Sequence, residues 1–105
     1  MFVVTNRIPV AADYREQFEE RFRNRAGQVE KQPGFMRMEV MRPQDEDSPY
    51  LVMTVWQDED AFIAWVDSED FKLAHQNPLP KAAYAGEGRM EQHEIVITAA
   101  THNNP

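Results

Sequence analysis

A lone imidazole set among bulky aromatics can hold a metal, and His75 has that setting in this 105-residue chain. It follows Phe71 by four residues, so on a helix the two share a face, and the small Ala74 beside it leaves room for a bulky ligand. Trp65 follows Phe62 by three residues and extends the apolar side of the preceding helical pattern. Asn6 and Arg7 interrupt an otherwise apolar stretch near the N-terminus. A flat, apolar, iron-bearing ligand would suit a wide aromatic facing a cavity and an imidazole on the next helix. One ring nitrogen would bind iron axially, and the other would be oriented by a hydrogen-bond acceptor. A plainer reading makes Trp65 core and His75 an ordinary helix-terminal histidine, favoured by the helix dipole. Spacing alone favours the plainer reading. For Asn6 the two readings weigh equally: its carboxamide either donates a hydrogen bond to oxygen at such an iron or satisfies a neighbouring backbone group.

Other chemistries find less support. The three histidines, at 75, 93 and 102, lack the close pairing of zinc sites, and there is no cysteine to act as thiolate, disulfide partner or metal ligand. There is no Ser-His-Asp order and no glycine-rich phosphate loop. Carboxylates cluster only at the starts of helical patterns. A net charge of -7 and a pI near 4.8 argue against nucleic acid or an anionic membrane as the main partner. No stretch approaches the roughly 18 apolar residues of a membrane span, and the first residues do not read as a signal peptide. The expectation is a soluble, cytoplasmic, single domain over 1–99, with a short tail at 100–105. At 42% hydrophobic it has little core to spare, so a dimer that extends the core is expected.

The elements that must position these residues follow from periodicity. Residues 2–10 alternate and are β-branched, which predicts a strand whose Asn6 and Arg7 face opposite sides of the sheet, one of them toward the interior or a pocket. Tyr14, Phe18 and Phe22 recur every four residues, continuing to Ala26 and Val29, and predict an amphipathic helix over 12–31 that Pro33-Gly34 ends. Two strands follow at 35–42 and 50–56, joined by a polar turn and pairing as an antiparallel hairpin. Asp58 and Ser68 cap helices over 59–66 and 69–76. Residues 79–89 read as a surface loop, and 91–99 as the last strand. The order β-α-β-β-α-β is an α+β, ferredoxin-like split βαβ fold with an antiparallel sheet.

Taken together, these residues resemble the antibiotic biosynthesis monooxygenase superfamily, whose members are dimeric ferredoxin-like domains of the α/β-barrel type. The likeness covers nearly the whole chain. Many members show W-x-s-x-e-a-f-x-x-H where this chain runs from Trp56 to Trp65, with histidine at the last position. The IsdG-like heme-degrading branch instead carries tryptophan there and histidine ten residues later, as Trp65 and His75 stand here. The Asn6-Arg7 pair and the segment Glu20–Arg25 are also similar to that branch. The resemblance implies that His75 is the axial ligand to heme iron and that Trp65 presses the porphyrin out of plane. Asn6 would hydrogen-bond the oxygen bound at the open side, while Phe71, Arg21 and Arg25 would line the heme site, with Arg7 a further candidate for the propionates. Heme would be both cofactor and substrate, opened with O2 and electrons from an external reductant, through a separate reductase, with iron released. Two alternatives stand beside it. One is a cofactor-independent quinol or polyphenol monooxygenase, with Asn6, Trp65 and Tyr50 positioning the substrate. The other is a heme-binding homodimer without turnover.

Overall fold

The computed structural model describes residues 1–25, 28–76 and 78–100. Four antiparallel strands form one sheet in the order β2-β3-β1-β4, with β1 at Phe2–Ile8, β2 at Phe35–Met41, β3 at Tyr50–Trp56 and β4 at Arg89–Glu94. Three helices, α1 (Arg15–Asn24), α2 (Glu59–Val66) and α3 (Glu69–Ala74), complete the split βαβ fold. β3 and α2 have the expected bounds. α2 and α3 start where their caps lie: Asp58 Oδ1 accepts from the Ala61 amide at 2.9 Å and Ser68 Oγ from the Phe71 amide at 3.1 Å. The polar run between β2 and β3 folds back through Asp45, whose carboxylate accepts from the amides of Asp47 and Ser48.

Period-2 alternation assigns the two sheet faces. Phe2, Val4, Asn6 and Ile8 stand opposite Trp56, Thr54, Val52 and Tyr50 and face the helices. Arg7 faces the other way, as the alternation requires, and pairs with Glu91 at 3.7 Å. Under the helices lie two apolar clusters. One gathers Phe2, Val4, Val29, Trp56 and Trp65, and the other gathers Val10, Phe18, Tyr50 and Val52. Gly34 permits the entry to β2: its φ is +80°, and a Cβ there would stand 2.6 Å from the Ala61 Cβ.

β1 and α3 each end two residues earlier than expected, and two other elements differ more. The helix expected over 12–31 is a 3-10 turn at Ala12–Tyr14, then α1, then a second 3-10 turn at Val29–Lys31. Arg25 is already extended (φ -66°, ψ 107°). Ala26 lies outside the described residues, and Val29 is buried against the tryptophans rather than continuing a helical stripe. The last strand is displaced toward the N-terminus, to 89–94 instead of 91–99. Its partner β1 pairs from Phe2, opposite Glu94, and the ladder closes with the Ile95 amide donating to the Met1 carbonyl. Val96 and Ile97, read as strand, are 85% and 86% exposed. The expected tail from 101 on lies outside the described residues. The segment after residue 77 is held against the end of β1 by Ala11 N to Ala83 O (2.7 Å), Ala85 N to Pro9 O (3.0 Å) and a bridge between Val10 and Tyr84.

α1 is fastened to the sheet by a charge cluster. The half-buried Glu19 carboxylate takes two hydrogen bonds from Arg42 at 2.6 Å, one from Arg23 at 3.1 Å and one from the Tyr50 hydroxyl. The Arg42 bonds, then Tyr50, pull the Glu19 pKa from 4.5 to about 2. A depressed carboxyl stabilises the fold above its ordinary pKa, and that contribution fades as pH falls from about 4.5 toward 2. Solvent around the exposed Arg42 limits the effect to on the order of 1 kcal/mol. Glu19→Gln is therefore expected to lower the urea midpoint at pH 7 and to converge on the parent protein near pH 2. Parallel pH curves for the two proteins would refute the linkage.

Candidate active site

The sheet, α2 and α3 enclose a cavity of about 350 Å³, within the usual range for small-molecule sites. Val4, Asn6, Val52 and Thr54 supply the sheet side. Trp65 and Phe62 come from α2, Phe71 and His75 from α3 and its C-terminus, and Arg25 and Val29 from the break after α1. Asn6, Trp65, Phe71, His75 and Arg25, all singled out in the sequence, thus meet around one space.

Trp65 is both core and wall. It is 6% exposed, stacked near Trp56 (6.5 Å between centroids, 28°) and met edge-on by Phe71 (5.4 Å, 82°). Trp56 is wholly buried, its Nε1 donating to Thr54 Oγ1 at 2.9 Å, and it lies behind the cavity lining. Ser68 couples Trp65 to the next helix. Its hydroxyl donates to the Trp65 carbonyl at 2.7 Å while accepting from the Phe71 amide.

His75 ends α3, exposed at the cavity margin, with its ring tilted 31° against Phe71 at 4.0 Å between centroids. Its Nδ1 lies 2.8 Å from the Phe71 carbonyl oxygen. A carbonyl only accepts, so the bond requires a proton on Nδ1, and the neutral ring then keeps its lone pair on Nε2. That leaves an oriented imidazole with a ligating nitrogen uncommitted. α3 itself is tied down from outside the cavity by Gln32, whose amide donates to Asp70 Oδ2 at 2.9 Å and to the Gln28 carbonyl at 3.0 Å.

Asn6 sits on the helix-facing side of β1, half-buried, and its carboxamide takes no hydrogen bond among the described residues. Its polar atoms are therefore available to whatever enters the cavity. Arg25 stacks over the Phe22 ring at 4.4 Å, and burial, then the neighbouring Arg21, lower its pKa from the usual arginine value. It borders both this cavity and a more open groove of about 510 Å³, which Arg21 also lines. The groove is the larger space, but the imidazole, the carboxamide and the indole all belong to the smaller one. Among the described residues no group of three His, Cys, Asp or Glu side chains could hold a bare metal ion.

Two sequence candidates fall elsewhere. Arg7 is on the opposite sheet face, as its pairing with Glu91 requires, and so cannot serve a ligand in this cavity. Tyr50 is fully buried and spends its hydroxyl on Glu19, beneath α1, so it does not reach a substrate held by Asn6 and Trp65. Conversely Val29, Met38, Thr54 and Met90 line the cavity and were not singled out. Met38 and Thr54 stand opposite each other on the helix-facing side of β2 and β3, where strand alternation would place them. Met90 required the true start of β4, and Val29 the break after α1.

The sequence profile of the antibiotic biosynthesis monooxygenase family matches residues 1–77. The chain is 42% identical over 79 residues to the staphylobilin-producing heme oxygenase of Staphylococcus haemolyticus, covering 73% of this chain and 75% of that one. It is 38% identical over 65 residues to the mycobilin-producing heme oxygenase of Mycobacterium tuberculosis, an alignment spanning 62% of each. The fold superimposes on the heme-degrader MhuD of M. tuberculosis, solved with two hemes in its active site, with a TM-score of 0.79 at 30% identity. That match covers 95% of this chain and 100% of that one.

Proposed function

The chain belongs to the antibiotic biosynthesis monooxygenase family, and from that premise we propose that it is a cytoplasmic heme-degrading monooxygenase. It would open the porphyrin of heme with O2 and electrons from a separate reductase and release the iron. The observation that carries the reading is the meeting of Asn6, Trp65 and His75 around one cavity, with His75 Nε2 left uncommitted by the Nδ1 bond to Phe71. The donor set fits the substrate: one imidazole for iron, apolar and aromatic walls for the macrocycle, and the Arg25 guanidinium at the border for carboxylates, with Arg21 lining only the adjoining groove.

Bound heme supplies the iron at which O2 is reduced and the ring that is opened. His75 would hold it through Nε2, its ring angle set by the Nδ1 bond to the Phe71 carbonyl. Trp65 is braced by Trp56, Phe71 and the Ser68 hydroxyl, so its indole resists displacement and presses on a flat ligand instead of yielding to it. Asn6, whose carboxamide takes no hydrogen bond among the described residues, would donate an N–H to the bound group. Because that hydrogen bond is neutral, Asn6→Leu is expected to leave hemin binding within about twofold and to slow ring opening by roughly five- to tenfold. A variant that turns over at the parent rate would remove Asn6 from the chemistry.

We read the assembly as a homodimer through the outer sheet face, supported by exposed Met41, Val96 and Ile97. A 12.2 kDa species by light scattering at working concentration would contradict this. The test of the function is a hemin titration of the purified protein. A saturable Soret shift supports the heme reading. No shift, with oxygen uptake on a quinol, would place the chain with cofactor-independent oxygenases.

A further inference from the structure

Two methionines line the cavity, and the thioether of Met90, for which the proposed reaction has no use, is the exposed one. Met90 is directly opposite Asn6 in the β1–β4 register, on the same sheet face, and both line the cavity. Side chains so paired have Cβ atoms about 4.5–5.5 Å apart. Met90 is 52% exposed, because no helix covers β4 there. Three other methionines have similar exposure but lie outside the cavity: Met1 (50%), Met36 (48%) and Met41 (37%). Met38 also lines the cavity but is half-buried between the two apolar clusters.

Resting on the proposed heme reading, we propose that Met90 is a site of self-oxidation, a thioether that records and limits turnover. When O2 takes two electrons and two protons from the reductant without reaching the porphyrin, hydrogen peroxide is released in the cavity. The Met90 sulfur donates an electron pair to one peroxide oxygen and the O–O bond breaks. The other oxygen leaves as water, so the sulfur is oxidised by two electrons and peroxide is reduced by two. The product, methionine sulfoxide, carries a strong acceptor oxygen beside the Asn6 carboxamide, which takes no hydrogen bond among the described residues. The Asn6 N–H then has an intramolecular acceptor, and the wall around it changes from apolar to polar. Methionine sulfoxide is reversible by reductases, so the change is a brake and not only damage.

The test is peptide mass spectrometry of the heme-loaded protein after aerobic turnover with ascorbate and catalase, which removes peroxide from bulk solvent. Local production raises the effective oxidant concentration, so Met90 should gain one oxygen atom on the order of tenfold faster than the similarly exposed Met36. The turnover rate should fall in step with its oxidation. In Met90→Leu, the decline relative to that variant's own initial rate should be absent. Equal oxidation of Met90 and Met36, or a Met90 that stays reduced while the Soret band decays, overturns the proposal and leaves heme degradation standing. A Soret band that never shifts on hemin addition overturns both, and the two failures are therefore distinguishable.

Discussion

His75→Ala is expected to weaken hemin binding by roughly 100-fold or more, since loss of merely an outer-shell partner of a metal ligand already costs 10- to 100-fold. The same variant should unfold at nearly the parent's denaturant concentration. His75 is exposed at a helix end, and its contacts are one tilted ring contact and one bond to a backbone carbonyl that its own amide also approaches. The two readouts therefore separate in this variant, and free imidazole should restore part of the Soret spectrum by entering the vacated space. Unchanged affinity in a folded His75→Ala protein would remove the axial-ligand assignment.

Trp65→Ala should behave in the opposite manner, with stability hit first. The indole is nearly inaccessible and touches Trp56 and Phe71, so its removal leaves a cavity at the centre of one of the two apolar clusters. Such truncations cost about 3–5 kcal/mol. A domain of this size has only about 5–15 kcal/mol in total, so the urea midpoint should fall by a large fraction. Trp65→Phe keeps most of the packing. It should fold and bind hemin but lose constraint on the macrocycle, read as a mixture of ring-opened products where the parent gives one. A single unchanged product from Trp65→Phe would deny the indole a steering role and leave it as core alone.

Much of this was legible in the sequence, and the failures have physical causes. β3 and α2 carried their boundaries in local signals, a β-branched run for the strand and an Asp58 cap for the helix. The alternation around Asn6 and Arg7 correctly required opposite faces but could not say which faced the cavity, and it left Arg7 a candidate that the register excludes. The stripe from Tyr14 to Val29 kept helical spacing across a break, because Val29 is buried by the tryptophans rather than by helical phase. Residues 91–99 promised a strand, but a strand exists only where a neighbour supplies hydrogen bonds, and the β1–β4 register ends with Phe2 opposite Glu94. Asn6, Trp65 and His75 were gathered by family resemblance, since spacing alone read His75 as an ordinary helix end. Its bond to the Phe71 carbonyl is a tertiary-level detail that no periodicity encodes.

The central claim is that this chain destroys the heme it binds. The most direct measurement is aerobic turnover of the stoichiometric hemin complex with ascorbate and catalase, following the Soret band, chelatable iron and product mass together. The account predicts Soret decay with one iron released per heme and a ring-opened tetrapyrrole that carries added oxygen. A Soret band that persists, or that decays only when catalase is left out, would contradict it: the first would make the chain a heme binder, and the second would assign the bleaching to free peroxide.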